Sequence, residues 1–541
     1  MDLREALPSM DSRDAERRMD SREALRRIFG FEGFRPGQAA AVAAGCDGRD
    51  ALVVMPTGSG KSLCYQLPAL MRDDLTLVVS PLVSLMHDQV QALSRIAPGK
   101  VELVNAQRGH KANVEAITRA ARGEVKLLYV APERFAAPGF AAAVARARLG
   151  LFVVDEAHCV SQWGHDFRPD YFSLADAARA LGARATIALT ATATPRVADD
   201  IARRLALRDP VRVTTGFDRP NLSFAVVPCA NASDKQRRIA VALGEPGALP
   251  AIVYAGTRRA SEELAGALAA ALGEEVPVYH AGLDRAARAG AQERFMSGEV
   301  RLIVATNAFG MGIDKADVRT VCHATVPGSL EAYYQEAGRG GRDGRPARCL
   351  LFAQQRDKGL HVFFIERARV DDGALRQVAQ RLRGASRTVG SPPGKPAADR
   401  YDVAIAELAG LAGERGQEDG VRAIIGHLSR AGLLSPEPCA PDRAVGRLTG
   451  TWDGRALALC RESAREAERV RWNQYRAVWQ YVERRQCRRT ALLRHFGDSS
   501  EPTPSVACCD VCDDSVAPPA LPRSVSASPP ARRPGGATAS V

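Results

Sequence analysis

Two short stretches of the chain carry the residue types that phosphate and metal chemistry requires. The first, MPTGSGKS, spans residues 55–62 between an apolar run and a helical pattern. Backbone N–H groups in such a loop can cradle phosphate oxygens, while Lys61 reaches the β- and γ-phosphates and the Ser62 hydroxyl ligates Mg²⁺. Met55 stands where the G-x-x-x-x-G-K-S/T pattern has its first glycine, so an ordinary glycine-rich turn is the alternative. The residues expected to contact the nucleotide in this loop are Thr57, Gly58, Ser59, Gly60, Lys61 and Ser62.

The second stretch is a strand-like run that ends in two acids, LFVVDE at residues 151–156. At the carboxyl edge of a parallel sheet, Asp155 would hold Mg²⁺ through water and Glu156 would polarise an attacking water. An acid pair alone is also typical of a helix cap, but its combination with the phosphate loop favours a nucleotide site. The residues that follow, SQWGHDFRPDY, are too polar and broken for a strand or a helix, and aromatic faces of this kind stack on unpaired bases. The candidates for such stacking are Trp163, His165, Phe167 and Arg168.

Composition bounds the class of protein. The chain has 541 residues with 74 basic and 62 acidic side chains, a net charge of +12 that favours an anionic partner such as nucleic acid. A solvated basic surface without any polyanion is the alternative. No apolar run is long enough to span a bilayer, and residues 1–20 have no apolar core of a signal peptide. Eight of the 12 cysteines are scattered, as expected of free thiols in a reducing compartment, so we expect a cytoplasmic protein.

Apolar runs that alternate with helical patterns predict how the candidate residues are positioned. Between residues 21 and 215, five runs read as buried parallel strands: ALVVMPTG, LTLVVSP, VKLLYVAPE, LFVVDEAH and ATIALTATAT. The pattern restarts at residue 216 and continues to about 360 with AIVYAG, VPVYHAG, RLIVATN, VRTVCHATVP and ARCLLFA. This predicts an α/β protein with two tandem doubly wound parallel-sheet domains.

The C-terminal third of the sequence lacks this alternation of strand-like and helical patterns. Residues 384–400 have the composition of a linker, and residues 401–458 predict a small helical unit whose final RAVGRLTGTWDGR could form a β-hairpin. Residues 461–513 predict an arginine-rich helical segment that closes on cysteines. The termini, residues 1–20 and 514–541, are expected to be disordered.

Motifs between residues 20 and 355 resemble those of the RecQ DNA helicase family. DEAH, with MPTGSGKS upstream and LTATATP downstream, is similar to the motifs of a superfamily-two helicase, and CVSQWGHDFRP resembles the signature aromatic-rich loop of RecQ. The other motifs follow in the family's order: FGFEGFRPGQ, SPLVSLMHDQV, YHAGL, ATNAFGMGIDKADVR and YYQEAGRGGRDG. The resemblance implies two RecA-like domains with ATP bound between them.

The resemblance also assigns roles at the base end of the nucleotide and in the aromatic loop. It implies that Phe31 stacks on adenine with Arg35 nearby, and that Gln38 hydrogen-bonds the adenine edge. A buried core aromatic is the alternative for Phe31. The aromatic loop would bind single-stranded DNA and, being continuous with the acids at 155–156, would report that binding to the nucleotide site.

In the second domain, the turn QEAGRGGRDG would supply residues to the γ-phosphate. Arg342 and Arg339 would act as arginine fingers, and Gln335 would help to sense the phosphate. A solvated arginine-rich turn is the alternative for this sequence taken alone.

The remaining cysteines resemble the RecQ zinc module, in which four thiolates close a structural tetrahedral Zn²⁺ site. The family spaces its last three cysteines as C-x-x-C-x-x-C, but Val506 occupies one of those positions here. The predicted ligands are Cys487, Cys508, Cys509 and Cys512. A metal-free turn, a redox pair, or His495 as a substitute ligand are the alternatives.

Residues 401–458 resemble a winged-helix unit, with VRAIIGHLSRAGLL as the recognition-type helix; a plain helical spacer is the alternative. The family more usually places this unit after the zinc module. Taken together, the resemblance implies an ATP- and Mg²⁺-dependent 3′-to-5′ DNA helicase that acts on single-stranded, duplex or forked DNA in recombination and repair. The rival interpretations are an RNA helicase, a translocase that does not unwind, and a non-catalytic DNA clamp. A single-strand binding protein is a candidate partner, and a monomer is favoured.

Overall fold

The computed structural model describes residues 20–81, 83–105, 107–137, 139–161, 171, 173–310, 315–389, 398–411, 418–437, 439 and 442–518. Within these ranges, the helices are either too short or too polar to cross a bilayer.

The first sheet has seven strands, all parallel, in the order β3-β4-β2-β5-β6-β1-β7. Its strands are β1 Ala51–Val54, β2 Leu75–Val79, β3 Val101–Val104, β4 Leu127–Val130, β5 Leu149–Val154, β6 Ala185–Thr190 and β7 Val211–Thr214. Its helices are α1 Ser21–Ala24, α2 Gln38–Asp47, α3 Leu63–Met71, α4 Val83–Ile96, α5 His110–Ala121, α6 Phe140–Val144, α7 Leu174–Ala180 and α8 Pro195–Arg204. The inner strands β1, β4 and β5 are buried throughout because helices cover both faces. The five predicted strands are all present, and the sequence pattern missed only the two edge strands, β3 and β7.

The second sheet has six parallel strands in the order β10-β11-β9-β12-β13-β8. Its strands are β8 Leu222–Pro228, β9 Ala251–Tyr254, β10 Val278–Tyr279, β11 Leu302–Ala305, β12 Thr320–His323 and β13 Ala347–Ala353. Its helices are α9 Ala232–Gly244, α10 Arg258–Leu272, α11 Arg285–Ser297 and α12 Leu330–Ala337. The predicted α/β class with two parallel sheets is therefore confirmed.

A third, antiparallel sheet follows, in the order β14-β15-β17-β16. Its strands are β14 Arg387–Val389, β15 Ala398–Ala404, β16 Leu434–Glu437 and β17 Arg443–Leu448. Two helices precede them, α13 Arg356–Arg367 and α14 Asp372–Gly384. Two more lie between β15 and β16, α15 Ile405–Leu411 and α16 Glu418–Arg430. The interpretation of residues 384–400 as a linker was wrong in part, because they contribute β14 and the start of β15. The predicted hairpin was also misplaced. β17 pairs with the preceding β16, and Asp453 caps a helix by accepting a hydrogen bond from the Ala456 N–H.

That helix, α17 Gly454–Glu483, connects the third sheet to the second. Its Cys460 lies in the core of the third unit, whereas Val478 and Tyr481 pack in a core shared with β8 and α12. The short helix α18 Arg488–His495 then carries the chain to the cysteine segment. The segment lies beside β8, because the Phe224 N–H donates to the Cys508 carbonyl and the Asp510 N–H donates back to the Phe224 carbonyl.

Candidate nucleotide site and metal centre

The phosphate loop connects β1 to α3 and folds into a tight turn. Gly58 and Gly60 have φ angles of 82° and 81°, in the left-handed region that favours glycine. A Cβ on Gly60 would lie 2.6 Å from the Nε2 atom of Gln38, so a larger residue would displace this amide as well as strain the backbone. The Lys61 ammonium donates hydrogen bonds to the Met55 and Pro56 carbonyls at 3.1 and 3.3 Å. Burial lowers the pKa of Lys61, and the nearby carboxylates of Glu156 and Asp155 oppose that shift.

The two acids emerge where β5 ends, next to the phosphate loop. Burial raises the pKa of Asp155 to about 7, the charge on Glu156 adds to the shift, and Lys61 opposes it. A buried carboxylate beside a second carboxylate is stabilised in its charged form by a cation, so this donor set fits Mg²⁺. Glu156 has a left-handed φ of 48°, and its carboxylate lies 3.3 Å from the Nδ1 atom of His158. His158 in turn lies 3.0 Å from the hydroxyl of Thr190 at the end of β6, a link that sequence reasoning missed.

Gln38 lies beneath the phosphate loop and is only 2% exposed. Its Nε2 donates to the Ser59 and Gly60 carbonyls at 3.0 and 3.1 Å, and its Oε1 accepts the Arg35 backbone N–H at 2.8 Å. The guanidinium of Arg35 donates to the Gly58 carbonyl at 2.8 Å. In this structure Gln38 therefore stabilises the loop, in addition to any contact that it makes with a base.

Phe31 stacks on Phe29 with a centroid distance of 6.3 Å and an interplanar angle of 12°. The Phe31 side chain is 53% exposed, so the alternative interpretation as a core aromatic was wrong. An exposed ring is available to stack on a base, and the adenine contact stays a prediction.

The arginine turn of the second domain faces the phosphate loop across a cleft of about 410 Å³. The turn follows α12 and carries Arg339, which is 4% exposed, and Arg342. The predicted residues that line this cleft are Arg35, Thr57, Gly58, Gly60, Lys61, Ser62, Asp155, Glu156, Gln335, Arg339 and Arg342. Ser59 lines the adjoining cleft on the other side of the loop. Folding thus brings together residues from four motifs that are far apart in sequence.

Arg219 also reaches this region, and sequence reasoning missed it. Its guanidinium donates to the Thr57 carbonyl in the phosphate loop at 3.0 Å and to the Gly338 carbonyl in the arginine turn at 3.1 Å. The surrounding FDRPN has no spacing that predicts a nucleotide contact, so nothing in the sequence pattern pointed to it.

The predicted stacking residues Trp163, His165, Phe167 and Arg168 lie outside the described residues. Both ends of their segment are described. The Ser161 hydroxyl donates to the Asp200 carboxylate at 2.7 Å, and the hydroxyl of the buried Tyr171 donates to the Asp155 carbonyl at 3.3 Å. The residue before the segment is therefore held against α8, and the residue after it contacts the candidate magnesium ligand.

The four predicted zinc ligands converge. Their Sγ atoms all lie within 4.8 Å of one another, with 3.7 Å between Cys487 and Cys508 and 3.5 Å between Cys509 and Cys512. Tetrahedral Zn–S bonds of about 2.3 Å place sulfurs roughly 3.8 Å apart, so the set fits a structural Zn²⁺. Burial raises the pKa of Cys487, but hydrogen bonds with Thr490, Cys508 and Cys512 together outweigh it and lower the pKa to about 7.

His495 is not a substitute ligand. Its Nε2 lies 2.8 Å from the Glu331 carboxylate on α12. Arg488 and Arg489 anchor the module further, through Asp510 within the cysteine segment and Asp218 before β8.

Comparison with known families divides the chain into three matched regions. Residues 35–201 match the DEAD/DEAH box helicase family, and residues 241–344 match the helicase conserved C-terminal domain. Residues 453–513 match the RecQ zinc-binding family, which agrees with the cysteine cluster.

The similar curated proteins are named as DNA helicases, which agrees with the family matches. The chain is 41% identical over 332 residues to the ATP-dependent DNA helicase RecQ of Haemophilus influenzae, an alignment that spans 61% of this chain and 52% of the relative. It is 42% identical over 344 residues to Bacillus subtilis RecQ, spanning 63% and 57%, and 40% identical over 324 residues to the probable ATP-dependent DNA helicase RecS of B. subtilis, spanning 60% and 65%. The chain thus spans between about half and two thirds of the length of these relatives.

Among solved structures, the helicase MrfA bound to DNA matches with a TM-score of 0.54 and 17% identity over 82% of this chain and 60% of MrfA. The Mycobacterium smegmatis helicase Lhr bound to single-stranded DNA and AMP-PNP matches with a TM-score of 0.52 and 23% identity, over 82% and 61%. At these identities the likeness concerns the fold alone.

Proposed function

The chain belongs to the RecQ family of superfamily-two helicases, and from this premise we propose that it is an ATP-dependent DNA helicase. It translocates 3′-to-5′ on single-stranded DNA and separates duplex or forked DNA, in recombination and repair. The observation that carries the proposal is the cleft in which the phosphate loop, the acid pair and the arginine turn face one another.

The cleft residues divide the chemistry of ATP hydrolysis among them. Lys61 binds the β- and γ-phosphates, and Glu156 orients the attacking water. Ser62 and Asp155 would hold Mg²⁺, which supplies charge neutralisation at the phosphates when bound. Arg342, together with Arg339 and Gln335, contacts the γ-phosphate from the second domain, so the phosphates connect the two domains only while the nucleotide is intact.

DNA binding is assigned to the aromatic segment. Trp163, Phe167, His165 and Arg168 stack on and contact unpaired bases without sequence preference. The link from Tyr171 to the Asp155 carbonyl supports a route by which an ordered segment positions the catalytic acids. Closure of the cleft on ATP and reopening after hydrolysis then move the strand.

Zn²⁺ would be held by Cys487, Cys508, Cys509 and Cys512, and it would stabilise the contact between the cysteine segment and β8. The zinc-thiolate set and the free cysteines support a cytoplasmic, reducing location. A monomer suffices, because both halves of the cleft come from one chain. A single-strand binding protein would supply the substrate strand.

Strand displacement on blunt, forked, 3′-tailed and 5′-tailed DNA tests the proposal, with an RNA duplex in parallel and Lys61→Ala as the inactive control. We expect ATP-dependent separation of the forked and 3′-tailed DNA by the wild type. Preference for the RNA duplex would indicate an RNA helicase. ATP turnover without strand separation would indicate a translocase, and DNA binding without ATP turnover would indicate a non-catalytic clamp.

A further inference from the structure

We infer that Arg219 is a positioning residue for ATP hydrolysis, whose guanidinium sets the arginine turn of the second domain against the phosphate loop of the first. The inference rests on the proposed ATPase function and adds a residue that lies outside its three motifs. Arg219 is in the segment that joins the two parallel sheets, three residues before β8.

One guanidinium bridges the two domains through four carbonyl groups. Nη1 donates to the Thr57 carbonyl at 3.0 Å and the Gly338 carbonyl at 3.1 Å. Nη2 donates to the Gly340 and Gly341 carbonyls at 3.0 and 3.3 Å. Gly338 and Gly340 flank Arg339, and Gly341 directly precedes Arg342. Arg219 therefore holds the backbone from which both candidate arginine fingers extend.

The two surfaces that Arg219 connects already lie close together. A Cβ on Gly338 would lie 3.5 Å from the Cβ of Thr57, and a Cβ on Gly58 would lie 3.7 Å from the Cγ of Arg342. Because the two surfaces are this close, a shift of the arginine turn by about 1 Å is enough to misplace a catalytic group.

The acceptors of Arg219 suit the planar, forked donors of a guanidinium better than the point charge of an ammonium. Within the described part of the chain, no carboxylate lies within ion-pair distance of Arg219, and burial lowers its pKa. The planar fork presents its donors in fixed directions, and here they reach carbonyls on both domains at once. A lysine ammonium keeps the charge, but it is a point donor that cannot span the same four acceptors.

Neighbouring contacts keep the Arg219 backbone in place. The Asn221 side chain donates to the Gly341 and Arg345 carbonyls at 2.7 and 2.8 Å. Arg489 of the zinc module donates to the Arg219 carbonyl at 2.7 Å and to the Asp218 carboxylate. Contacts from both the second domain and the zinc module therefore hold the backbone of Arg219 in place.

This arrangement predicts a division between binding and turnover. Lys61, Ser62 and Arg35 bind the nucleotide from the first domain. Among the described residues, Arg219 hydrogen-bonds to that domain only at the Thr57 carbonyl, whereas it donates three hydrogen bonds to the turn that carries Arg339 and Arg342. Loss of Arg219 therefore lowers kcat and leaves ground-state nucleotide affinity close to the wild-type value.

The test compares Arg219→Met and Arg219→Lys with the wild type, and with Arg212→Met as the control. Arg212 is an exposed arginine on β7 that pairs with Asp199. We measure the Kd of a fluorescent ATP analogue, kcat and KM with saturating single-stranded DNA, and Tm. For Arg219→Met we expect a Kd within about threefold of the wild type and a kcat at least about tenfold lower, with partial recovery in Arg219→Lys and no change in Arg212→Met.

A wild-type kcat in Arg219→Met, or a parallel loss of nucleotide binding and turnover, would overturn the inference. If Arg219→Met does not fold, Arg219→Lys decides alone, and full activity in that variant is the contrary result. Absence of ATP hydrolysis by the wild type would instead refute the proposed function, so the two failures are distinguishable.

Discussion

The hydroxyl of Tyr171 donates a hydrogen bond to the backbone carbonyl of Asp155 at a distance of 3.3 Å. Tyr171 closes the aromatic segment, and Asp155 is the candidate magnesium ligand. The proposed DNA-binding and nucleotide-binding elements are thus joined by a side-chain contact as well as by the continuity of the chain.

Tyr171→Phe removes this hydrogen bond while keeping the ring in the core. Because such a bond contributes about 1 kcal/mol, we expect the stimulation of ATP hydrolysis by single-stranded DNA to fall roughly fivefold, with little change in the rate without DNA. Steady-state ATPase assays with increasing DNA measure both rates. Tyr475→Phe serves as the control, because this residue of α17 packs against Trp472 and Trp479 and does not line the cleft. Equal loss of both rates would point to a purely structural role for Tyr171.

Trp163→Ala removes the predicted stacking surface. Base–aromatic stacking is worth about 1–3 kcal/mol, so we expect DNA affinity and DNA-stimulated ATP hydrolysis to drop by roughly tenfold or more, while nucleotide affinity is preserved. Fluorescence anisotropy of labelled single-stranded DNA and ATPase assays test this. Phe364→Ala, an aromatic that is 48% exposed on α13, should leave both values unchanged. If Trp163→Ala weakened ATP binding as much as DNA binding, the stacking role would be wrong.

The pair formed by His495 and Glu331 docks the zinc module on α12. Burial raises the pKa of Glu331, but the hydrogen bond and charge of His495 outweigh it and lower the pKa from 4.5 to about 2. Because the folded-state pKa is depressed, the pair stabilises the protein above pH 4.5 and loses this contribution as the pH falls toward 2.

His495→Ala should therefore lower the free energy of unfolding by up to roughly 3 kcal/mol near pH 5, where the imidazole is charged and the carboxylate ionised, and the difference from the wild type should shrink with acidification below the ordinary pKa of a glutamate. Urea unfolding across this pH range measures the difference. Glu331→Gln is the matched variant, since its stability should lack this pH dependence. A difference that does not change with pH would mean that the pair contributes by packing alone.

Cys508→Ser tests whether the adjacent cysteines share one metal. We expect the wild type to bind one equivalent of zinc and the variant to lose most of it, since a structural site needs all four thiolates. The zinc content of the purified proteins, measured by mass spectrometry, gives the answer. Cys46→Ser, a half-buried thiol outside the cluster, should keep its zinc. Full zinc occupancy in Cys508→Ser would exclude Cys508 as a ligand.

Local patterns predicted the elements whose chemistry is contained in contiguous motifs. The phosphate loop at 55–62, the acids at 155–156 and the arginine turn at 335–342 each sit at the end of a strand or helix, and parallel topology brings such ends to one edge. Arg219 and Asn221 could not be predicted in this way, because their acceptors are backbone carbonyls on other elements and leave no pattern in the sequence.

The third sheet escaped prediction for a different reason. Glycine and proline in residues 384–400 indicate a loop, but the ends of that segment pair with each other as β14 and β15. Tyr401, which follows directly, is fully buried in the core of this unit. Composition averaged over a segment hides short strands at its ends.

In the proposed function, ATP bound by the first domain is hydrolysed only when the arginine turn of the second domain completes the cleft. Arg342→Ala tests it most directly, with ATP turnover in the presence of single-stranded DNA and nucleotide affinity measured on the same protein. We expect nucleotide affinity to stay at the wild-type value and turnover to fall about a thousandfold or more, as for loss of an arginine finger. Turnover at the wild-type rate in Arg342→Ala would contradict it.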